Sequence, residues 1–403
     1  MCKTLGLFTK MFPKSFALTA VLAYVSTKVS AQRPTSEVPW GGGACSTEWD
    51  CSLGGVCENS KCTCDAWWTG PNCDLLNLQR PESGEYGLCH SGMDSYYSWG
   101  GRALPETSTS PDEVTGEETN STTWHLYASF MCDHNSLGKW TTVSSSAHFV
   151  SDSPIGPFHW SDEQCTGDIC DPIVIPWSHN TVATVIDDRY QIWHIGDGIV
   201  DPSEFSPCFN KSDVHPVPPP AMTLSSTVRT APDPGAEVFI SSSKAGPNGP
   251  WTREFNNGPL TINYDKSGAW PQSATNPSPL ELPDDSVRLY FTSPDDEHWC
   301  GLENNCIGVA ESKNGWAGPF EPYPHHLTNL ESEDSHVFID PRGHFHMLTN
   351  INTGHARCAQ GVECGGHSWG YDGLKWSNLT VGAFGPYITY VNIIYSDIMF
   401  SIL

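Results

Sequence analysis

The amino-acid sequence predicts an all-β protein, a β-propeller preceded by a small disulfide-rich module. Gly, Pro and Trp are abundant, with 36, 32 and 16 residues, and no long segment shows helical periodicity. Six cysteines lie close together between Cys45 and Cys73. A glycine-proline-aromatic signature then recurs along the rest of the chain. Each of these observations predicts a different part of the architecture.

The first 31 residues have the pattern of a secretory signal peptide. Lysines precede a short apolar stretch over residues 16–24, and small residues at positions 29–31 precede the expected cleavage point. A signal anchor is the alternative, but the apolar stretch is too short to span a bilayer. We therefore expect residues 1–31 to be removed and the protein to be secreted and extracellular.

The chain is strongly acidic, with a formal net charge of −26 at pH 7. Residues 1–31 contain four lysines and no acidic residue, so their removal makes the net charge −30. This excess argues against nucleic acid, anionic membranes and polyanions as partners, and favours neutral or cationic ligands. We expect no nucleic-acid partner and no stable membrane insertion.

The cysteine spacing predicts a disulfide-bonded module over residues 41–74. The second half of the run has a close Cys62-x-Cys64 pair, then an aromatic residue, a glycine and Cys73. So short a segment cannot form a sufficient apolar core, and cross-links must replace it. A zinc site is the alternative, but the run contains no His and no paired CxxC spacing. The spacing alone does not give the pairing.

This spacing resembles the epidermal growth factor (EGF)-like module. The resemblance implies the disulfides Cys45–Cys57, Cys51–Cys62 and Cys64–Cys73. Residues 42–44, Gly-Gly-Ala, stand where calcium-binding members of that family carry acidic residues. Two roles are open for the module: a spacer, or a docking element for an extracellular-matrix or cell-wall partner.

The remainder of the chain, residues 86–403, contains an internal repeat. The glycine-proline-aromatic signature ends the segments 153–158, 246–251, 315–320 and 382–387. Strand-turn-strand segments begin at Asn180, Asn276 and Glu333. Repeated units of this kind bury their faces by radial stacking, which predicts a propeller. A sandwich is the alternative, but it does not explain the recurring signature.

Two of these segments resemble the five-bladed propeller glycoside hydrolases of family 43 and the related arabinanases, xylosidases and invertase-like enzymes. Ser273-Ala-Thr-Asn276-Pro-Ser278 is similar to the Ser-Ala-Ile-Asp-Pro-Ser phrase of the third blade, and Ser332-Glu333-Asp334 to the Glu-Gly-Pro phrase of the fourth. The resemblance covers about residues 88–387. It implies five blades and hydrolysis of O-glycosidic bonds in a polysaccharide by inverting acid/base catalysis. A non-catalytic extracellular glycan-binding or adhesion protein is the alternative.

Alignment of the hairpins on their turns places Asn180, Asn276 and Glu333 at one position, the start of the innermost strand. Side chains converge on the propeller axis there, and an inverting glycosidase needs an acid and a base about 6.5–9.5 Å apart. The resemblance implies Glu333 as the general acid. The alternative is a solvated glutamate in an acidic stretch. The aspartate that raises the pKa of the acid in the family is replaced by Asn276.

The general base is expected in the first blade, where Asp94 is the nearest candidate. By turn spacing Ser98, not Asp94, occupies the equivalent position, unless Gly100-Gly101 forms a bulge that shifts the register. A turn aspartate is the alternative interpretation of Asp94.

The substrate is expected to be a carbohydrate bound by residues near the axis. The candidates are Asn180, His336 and the tryptophans Trp99 and Trp193, whose rings can stack on sugars. No cofactor is expected. A structural ion on the axis is possible by resemblance to relatives that hold one through a histidine, here His179 or His355.

Three sequons predict surface glycosylation, at Asn120, Asn210 and Asn378. After residue 387 the composition changes abruptly to Ile and Tyr, without turn residues. The internal period requires a longer fifth blade than this, so we expect the propeller to be incomplete at its C-terminal end. Nine cysteines outside the module and the signal segment also leave one without a partner.

Overall fold

A computed structural model describes residues 41–77, 97–111, 118–131, 140, 144–161, 173–176, 178–196, 237–264, 270–271, 273–294, 305–351 and 365–384. The predicted signal peptide, Asp94, Asn210 and His355 lie outside these ranges. Within them, no helix has the length and apolar character needed to cross a membrane.

The N-terminal module consists of short antiparallel strands held by disulfides. Its strands are β1 (Gly41–Ala44), β2 (Gly55–Glu58), β3 (Lys61–Cys64), β4 (Trp68–Thr69) and β5 (Leu75–Leu76), and a 3-10 turn spans Glu48–Cys51. The first three form one sheet in the order β1-β3-β2, and β4 pairs with β5. The disulfides are Cys45–Cys57, Cys51–Cys62 and Cys64–Cys73, the pairing implied by the EGF-like resemblance.

Four antiparallel sheets follow the module. The strands of the first are β6 (Tyr97–Pro111), β7 (Glu118–Met131), β8 (Ser144–Ser151), β9 (His159–Trp160) and β10 (Ile173–Pro176). The second contains β11 (His179–Ile186), β12 (Arg189–Ile195), β13 (Val238–Ser243) and β14 (Thr252–Arg253). The third contains β15 (Thr275–Glu281), β16 (Val287–Pro294), β17 (Asn305–Ser312) and β18 (Glu321–Pro322). The fourth contains β19 (Ser332–Ile339), β20 (Phe345–Ile351), β21 (Gly365–Gly370) and β22 (Thr380–Val381).

These sheets are the blades of a β-propeller, as the sequence predicts. In the second to fourth sheets the strands pair in chain order, and the inner strands β6, β11, β15 and β19 contact one another in succession. Further 3-10 turns lie at Phe255–Asn257 and Gly315–Ala317. Four blades lie within the described residues. The predicted fifth blade lies outside them.

The glycine-proline-aromatic signature marks a buried corner of a blade. The Gly-Pro bond is cis at Gly156-Pro157, Gly249-Pro250 and Gly318-Pro319. The aromatic side chain that follows is buried each time, as Phe158, Trp251 and Phe320. Three of the four predicted signatures therefore share one conformation, and the fourth extends beyond the described residues.

Apolar cores between neighbouring blades hold the ring together. Tyr127 packs with Ala183 between the first and second blades, and Phe320 packs with residues of the second blade. Val337 and Met347 face the third blade. Because side chains alternate along a strand, the neighbouring Phe338 and Leu348 lie on the opposite face of the fourth blade.

The N-terminal module covers that opposite face of the fourth blade. The buried Trp68 ring stacks on His367 at 4.1 Å and on His346 at 4.9 Å between centroids. Arg342 donates hydrogen bonds to the carbonyl of Gly55 at 3.0 Å and to Oδ2 of Asp65 at 2.7 Å. The module is thus part of the core of this blade.

Candidate active site

Each inner strand carries a β-bulge at the same place. Strand pairing shifts register between Trp99 and Arg102, His179 and Val182, Thr275 and Ser278, and Glu333 and His336. The first unpaired residue of each bulge has a left-handed backbone, with φ of 59° at Gly100, 47° at Asn180, 51° at Asn276 and 53° at Asp334, and Gly101 also has a positive φ, of 130°. Gly, Asn and Asp are the residues that adopt this conformation most readily.

Asp334, not Glu333, occupies the position equivalent to Asn180 and Asn276. Glu333 precedes it by one residue and is paired across the hairpin with Asn350. The alignment on turns was wrong by one position because a bulge adds a residue to one strand of the pair. In the first blade the equivalent residue is Gly100 rather than Ser98, through the Gly100-Gly101 bulge considered in the sequence.

The side chain of Asp334 is the centre of a polar cluster formed by the inner ends of the blades. Its Oδ1 accepts hydrogen bonds from Nδ2 of Asn276 at 2.7 Å and from Nδ2 of Asn180 at 3.1 Å. Its Oδ2 accepts a hydrogen bond from Nδ2 of Asn350 at 3.1 Å, and the Trp99 indole donates another to the carboxyl. We call these five residues the Asp334 cluster.

The environment of Asp334 favours its protonated form. Burial raises its pKa first and the adjacent charge of Glu333 second, to about 8, while the hydrogen bonds from Asn350, Trp99 and Asn276 act in the opposite direction. Neighbours on a regular strand face opposite sides, so Glu333 and Asp334 would point apart on an unbroken strand. The bulge removes that alternation, and the two carboxyls form an interacting pair.

The side-chain amide of Asn180 uses its N–H donor but not its carbonyl oxygen. Its Nδ2 bonds to Asp334, whereas its buried Oδ1 has no hydrogen-bond partner among the described residues. A buried carbonyl oxygen without a donor is costly, and a protonated carboxyl or a ligand hydroxyl would satisfy it. Asn180 therefore offers an acceptor oxygen at the inner end of the second blade.

The other predicted substrate-binding residues divide into two groups. Trp99 belongs to the Asp334 cluster, and the partly exposed His336 lies two residues beyond Asp334. Trp193 is fully buried between the second and third blades, and its Nε1 donates to Oε1 of Gln191 at 3.0 Å. The prediction that Trp193 binds substrate is therefore wrong, because this ring lies in an interblade core.

The histidine considered for an axial ion has other partners. His179 is buried, its Nδ1 is 2.8 Å from Oγ of Ser144, and its ring stacks on Trp140 at 4.8 Å. Burial lowers its pKa to about 3. Among the residues described, Cys45, Cys51 and Cys62 form a group compact enough for a metal, but all three belong to disulfides.

Two predicted glycosylation sites lie within the described ranges. Asn120, on β7, and Asn378, before β22, are both exposed. Their accessibility is compatible with the prediction, which otherwise rests on the sequons alone.

Comparison with known proteins gives only distant similarities. No protein-family model matches the sequence, and no curated protein matches it. A family 117 glycoside hydrolase of Zobellia galactanivorans is 14% identical, with a TM-score of 0.42 over 75% of this chain and 74% of that one. An endo-1,4-beta-xylanase of Bacteroides thetaiotaomicron is 13% identical, with a TM-score of 0.38 over 74% and 81%. A GH43_1 enzyme of Xanthomonas citri is 9% identical, with a TM-score of 0.38 over 71% and 74%.

Proposed function

We propose that this protein is a secreted glycoside hydrolase that cleaves O-glycosidic bonds in a polysaccharide with inversion at the anomeric carbon. The observation that carries the proposal is the Glu333–Asp334 pair at the inner end of the fourth blade, in which Asp334 has a raised pKa. A carboxyl that keeps its proton near neutral pH is what protonation of a leaving group requires.

In the proposed reaction Asp334 delivers its proton to the glycosidic oxygen as the bond from that oxygen to the anomeric carbon breaks. A water molecule attacks the anomeric carbon from the opposite face and gives its proton to a general base. Asp94, the base that the sequence predicts, takes this proton in the proposed reaction. Glu333, for which the sequence suggests the acid role, is the neighbouring carboxyl whose charge raises the pKa of Asp334.

This assignment explains how the site tolerates Asn276. In the family that the sequence resembles, an aspartate at that position raises the pKa of the acid by like-charge repulsion. An amide at 2.7 Å from Asp334 supplies no such repulsion. Glu333, next to Asp334 in the bulge, supplies it instead.

A non-catalytic glycan-binding protein is the second candidate. It is favoured by the three asparagine amides that donate to Asp334. Donors of this kind stabilise the ionised carboxylate, and they compete with a substrate oxygen for the same atoms.

Turnover on a panel of arabinosides, xylosides, galactosides and fructosides tests the proposal, with the anomeric configuration of the product followed by NMR. We expect hydrolysis with inversion, a loss of at least about a hundredfold in kcat for Asp334→Asn, and retained ligand binding. A full loss in Glu333→Gln with activity kept in Asp334→Asn would return the acid role to Glu333. Binding without turnover by the folded protein would favour the second candidate.

Secretion is part of the proposal because the module depends on three disulfides, which persist in oxidising compartments. Detection of the glycosylated protein in the culture medium, and loss of secretion without residues 1–31, tests it. A matrix or cell-wall partner for the module remains a prediction from its sequence.

A further inference from the structure

Arg102 is a cationic side chain in the interior of the propeller. It lies on the inner strand β6, two residues beyond the bulge residue Gly100, with its Cα opposite that of Tyr127. The side chain is only partly exposed. An arginine is always charged in proteins, so its position requires an explanation.

The guanidinium of Arg102 has no counter-charge in the part of the chain that the structure describes. None of the ion pairs or hydrogen bonds found there involves this side chain. Burial lowers its pKa, with no opposing effect from a carboxylate. A desolvated charge without a partner is unfavourable, and proteins normally pair it with an anion.

The residues in the same layer of the propeller are uncharged. The positions equivalent to Arg102 in the other blades are Val182, Ser278 and His336. Ser278 accepts a hydrogen bond from the backbone N–H of Val337. Burial first, and the charge of Arg102 second, lower the pKa of His336 to about 3, so its imidazole is neutral. Arg102 and His336 occupy equivalent register positions on the inner strands of the first and fourth blades, each two residues beyond the bulge residue of its strand.

We propose that Arg102, together with the imidazole N–H of His336 in the same layer of the propeller, forms a subsite for an oxyanion, a carboxylate or sulfate group carried by a sugar of the ligand. This inference rests on the proposed function, since it names the substrate class of the same axial site. The planar guanidinium fork matches an oxyanion in geometry, and a neutral imidazole adds one donor. The acidic chain as a whole repels anions, so a bound oxyanion needs a local cation of this kind.

Binding of matched sugars tests the proposal. Oligosaccharides that end in galacturonate or glucuronate are compared by calorimetry with their carboxyl-reduced counterparts, in the wild-type protein and in Arg102→Gln. We expect the wild type to bind the acidic member at least about tenfold more tightly, and Arg102→Gln to lose that preference while binding the reduced member as before. Arg189→Gln is the control, because Arg189 faces Glu254 at 3.8 Å and pairs with Ile186, at the opposite end of β11 from the bulge residue Asn180.

A second measurement separates the two sources of an oxyanion. Sodium sulfate and sodium acetate, at constant ionic strength, are added in thermal unfolding of the wild type and Arg102→Gln. If sulfate or acetate stabilises the wild type but not Arg102→Gln, and the wild type shows no preference for acidic sugars, Arg102 binds an oxyanion, but as a free ion and not as part of a sugar. If neither sugars nor free ions depend on Arg102, the proposal is overturned. Arg102→Lys, which keeps the charge, replaces Arg102→Gln if the latter does not fold.

The binding and thermal-unfolding tests of the subsite do not depend on whether the protein hydrolyses its ligand. An Arg102-dependent preference for acidic sugars in a protein that hydrolyses nothing would leave the subsite intact and remove the hydrolase proposal. Hydrolysis of neutral and acidic sugars at equal rates, with no effect of Arg102 substitution, would support the hydrolase proposal and remove the oxyanion subsite.

Discussion

Asn276 donates a hydrogen bond from its Nδ2 to Oδ1 of Asp334 at 2.7 Å, joining the inner strands of the third and fourth blades. Both residues have a left-handed backbone and occupy equivalent bulge positions. The amide is therefore one of the donors to the carboxyl that we propose as the general acid. In this protein the second negative charge near that carboxyl comes from Glu333 on the same strand, and not from the third blade.

The substitution Asn276→Asp tests this arrangement. It replaces the donor by a second carboxylate, and two adjacent carboxylates cannot both ionise at low cost. We expect a loss of about 1–3 kcal/mol in the free energy of unfolding at about pH 8, and a smaller loss at about pH 5, where a shared proton joins the two groups. Chemical denaturation at both pH values measures it.

The control for Asn276→Asp is Asn314→Asp, which adds the same charge at an exposed position before a 3-10 turn. Its effect should be below about 0.5 kcal/mol at both pH values. Equal destabilisation by Asn276→Asp at pH 5 and pH 8 would contradict a role for the charge.

The stability of the wild-type protein should depend on pH through Asp334. The pKa of this carboxyl is raised in the folded state, so its contribution to stability is fully present below the unfolded value near 4 and is lost as the pH rises through about 8. We expect Asp334→Asn to flatten this dependence by on the order of 1–2 kcal/mol, less than full linkage because the carboxyl is partly exposed. Unfolding free energies between pH 4 and 9 provide the comparison, and parallel curves for the two proteins would contradict the shift.

Part of the site could be predicted from the sequence, and the reason for the remainder is physical. Asn180 and Asn276 follow from the repeat, because each begins a hairpin of the same pattern. Asp334 was missed because period-two alternation fails inside a bulge. The signal was nevertheless present, since glycine, asparagine and aspartate recur at this position and a glutamate does not favour a left-handed backbone. Asn350 lies on a second strand and is found only when the hairpin register is known.

Long-range packing could not be predicted in the same way. The alternation of β12 shows that Trp193 lies on one face, but both faces of a blade are covered, so alternation does not separate core from ligand site. The contact of Trp68 with His346 and His367 joins segments far apart in the chain, and no local pattern encodes it. The disulfide pairing that the EGF-like resemblance implies is present, but no pattern in the sequence indicates that the module packs on the fourth blade.

The equivalence of the bulges predicts which side chains the first blade accepts. Gly100 has φ of 59°, and a Cβ there would lie 3.6 Å from the Cα of Asn180, which is an ordinary contact. Gly100→Asn should therefore cost less than about 1 kcal/mol, since Asn180 and Asn276 adopt this conformation in their own blades. Gly100→Val should cost about 2 kcal/mol, because a β-branched residue is strained at positive φ. Similar losses for both variants in thermal unfolding would contradict the equivalence.

The docking of the module should weaken in acid. Burial lowers the pKa of His367, as does the charge of His346, and burial also lowers that of His346 against the influence of Asp340. Because these folded-state pKa values lie below the unfolded value, the stability they support is present above about pH 6.5 and is lost as the pH falls. We expect a loss of about 1–2 kcal/mol per histidine between pH 7 and 5. The measurement is unfolding free energy against pH.

His367→Asn separates titration from packing at this junction. The amide can keep the hydrogen bond that Nδ1 of His367 makes with the carbonyl of Asp74 at 3.2 Å, but it does not titrate. The pH dependence of the variant should be shallower, although its stability at pH 7 falls because the stacking on Trp68 is lost. His325→Asn, at an exposed histidine, should leave the wild-type curve unchanged. An unchanged slope in His367→Asn would contradict this origin of the acid sensitivity.

Two tryptophans that the sequence does not distinguish should respond differently to the same substitution. Trp193→Phe removes the hydrogen bond to the buried Gln191, leaving an acceptor unpaired in an interblade core. It should cost about 1–3 kcal/mol in unfolding free energy and leave ligand affinity unchanged. Trp99→Phe removes an indole donor from Asp334 and should raise the pKa of that carboxyl further. Trp99→Phe should therefore shift the alkaline limb of the pH–rate profile to higher pH or, if the protein only binds glycans, change its ligand affinity. A change in affinity in Trp193→Phe alone would return that ring to the binding site and contradict its assignment to the core.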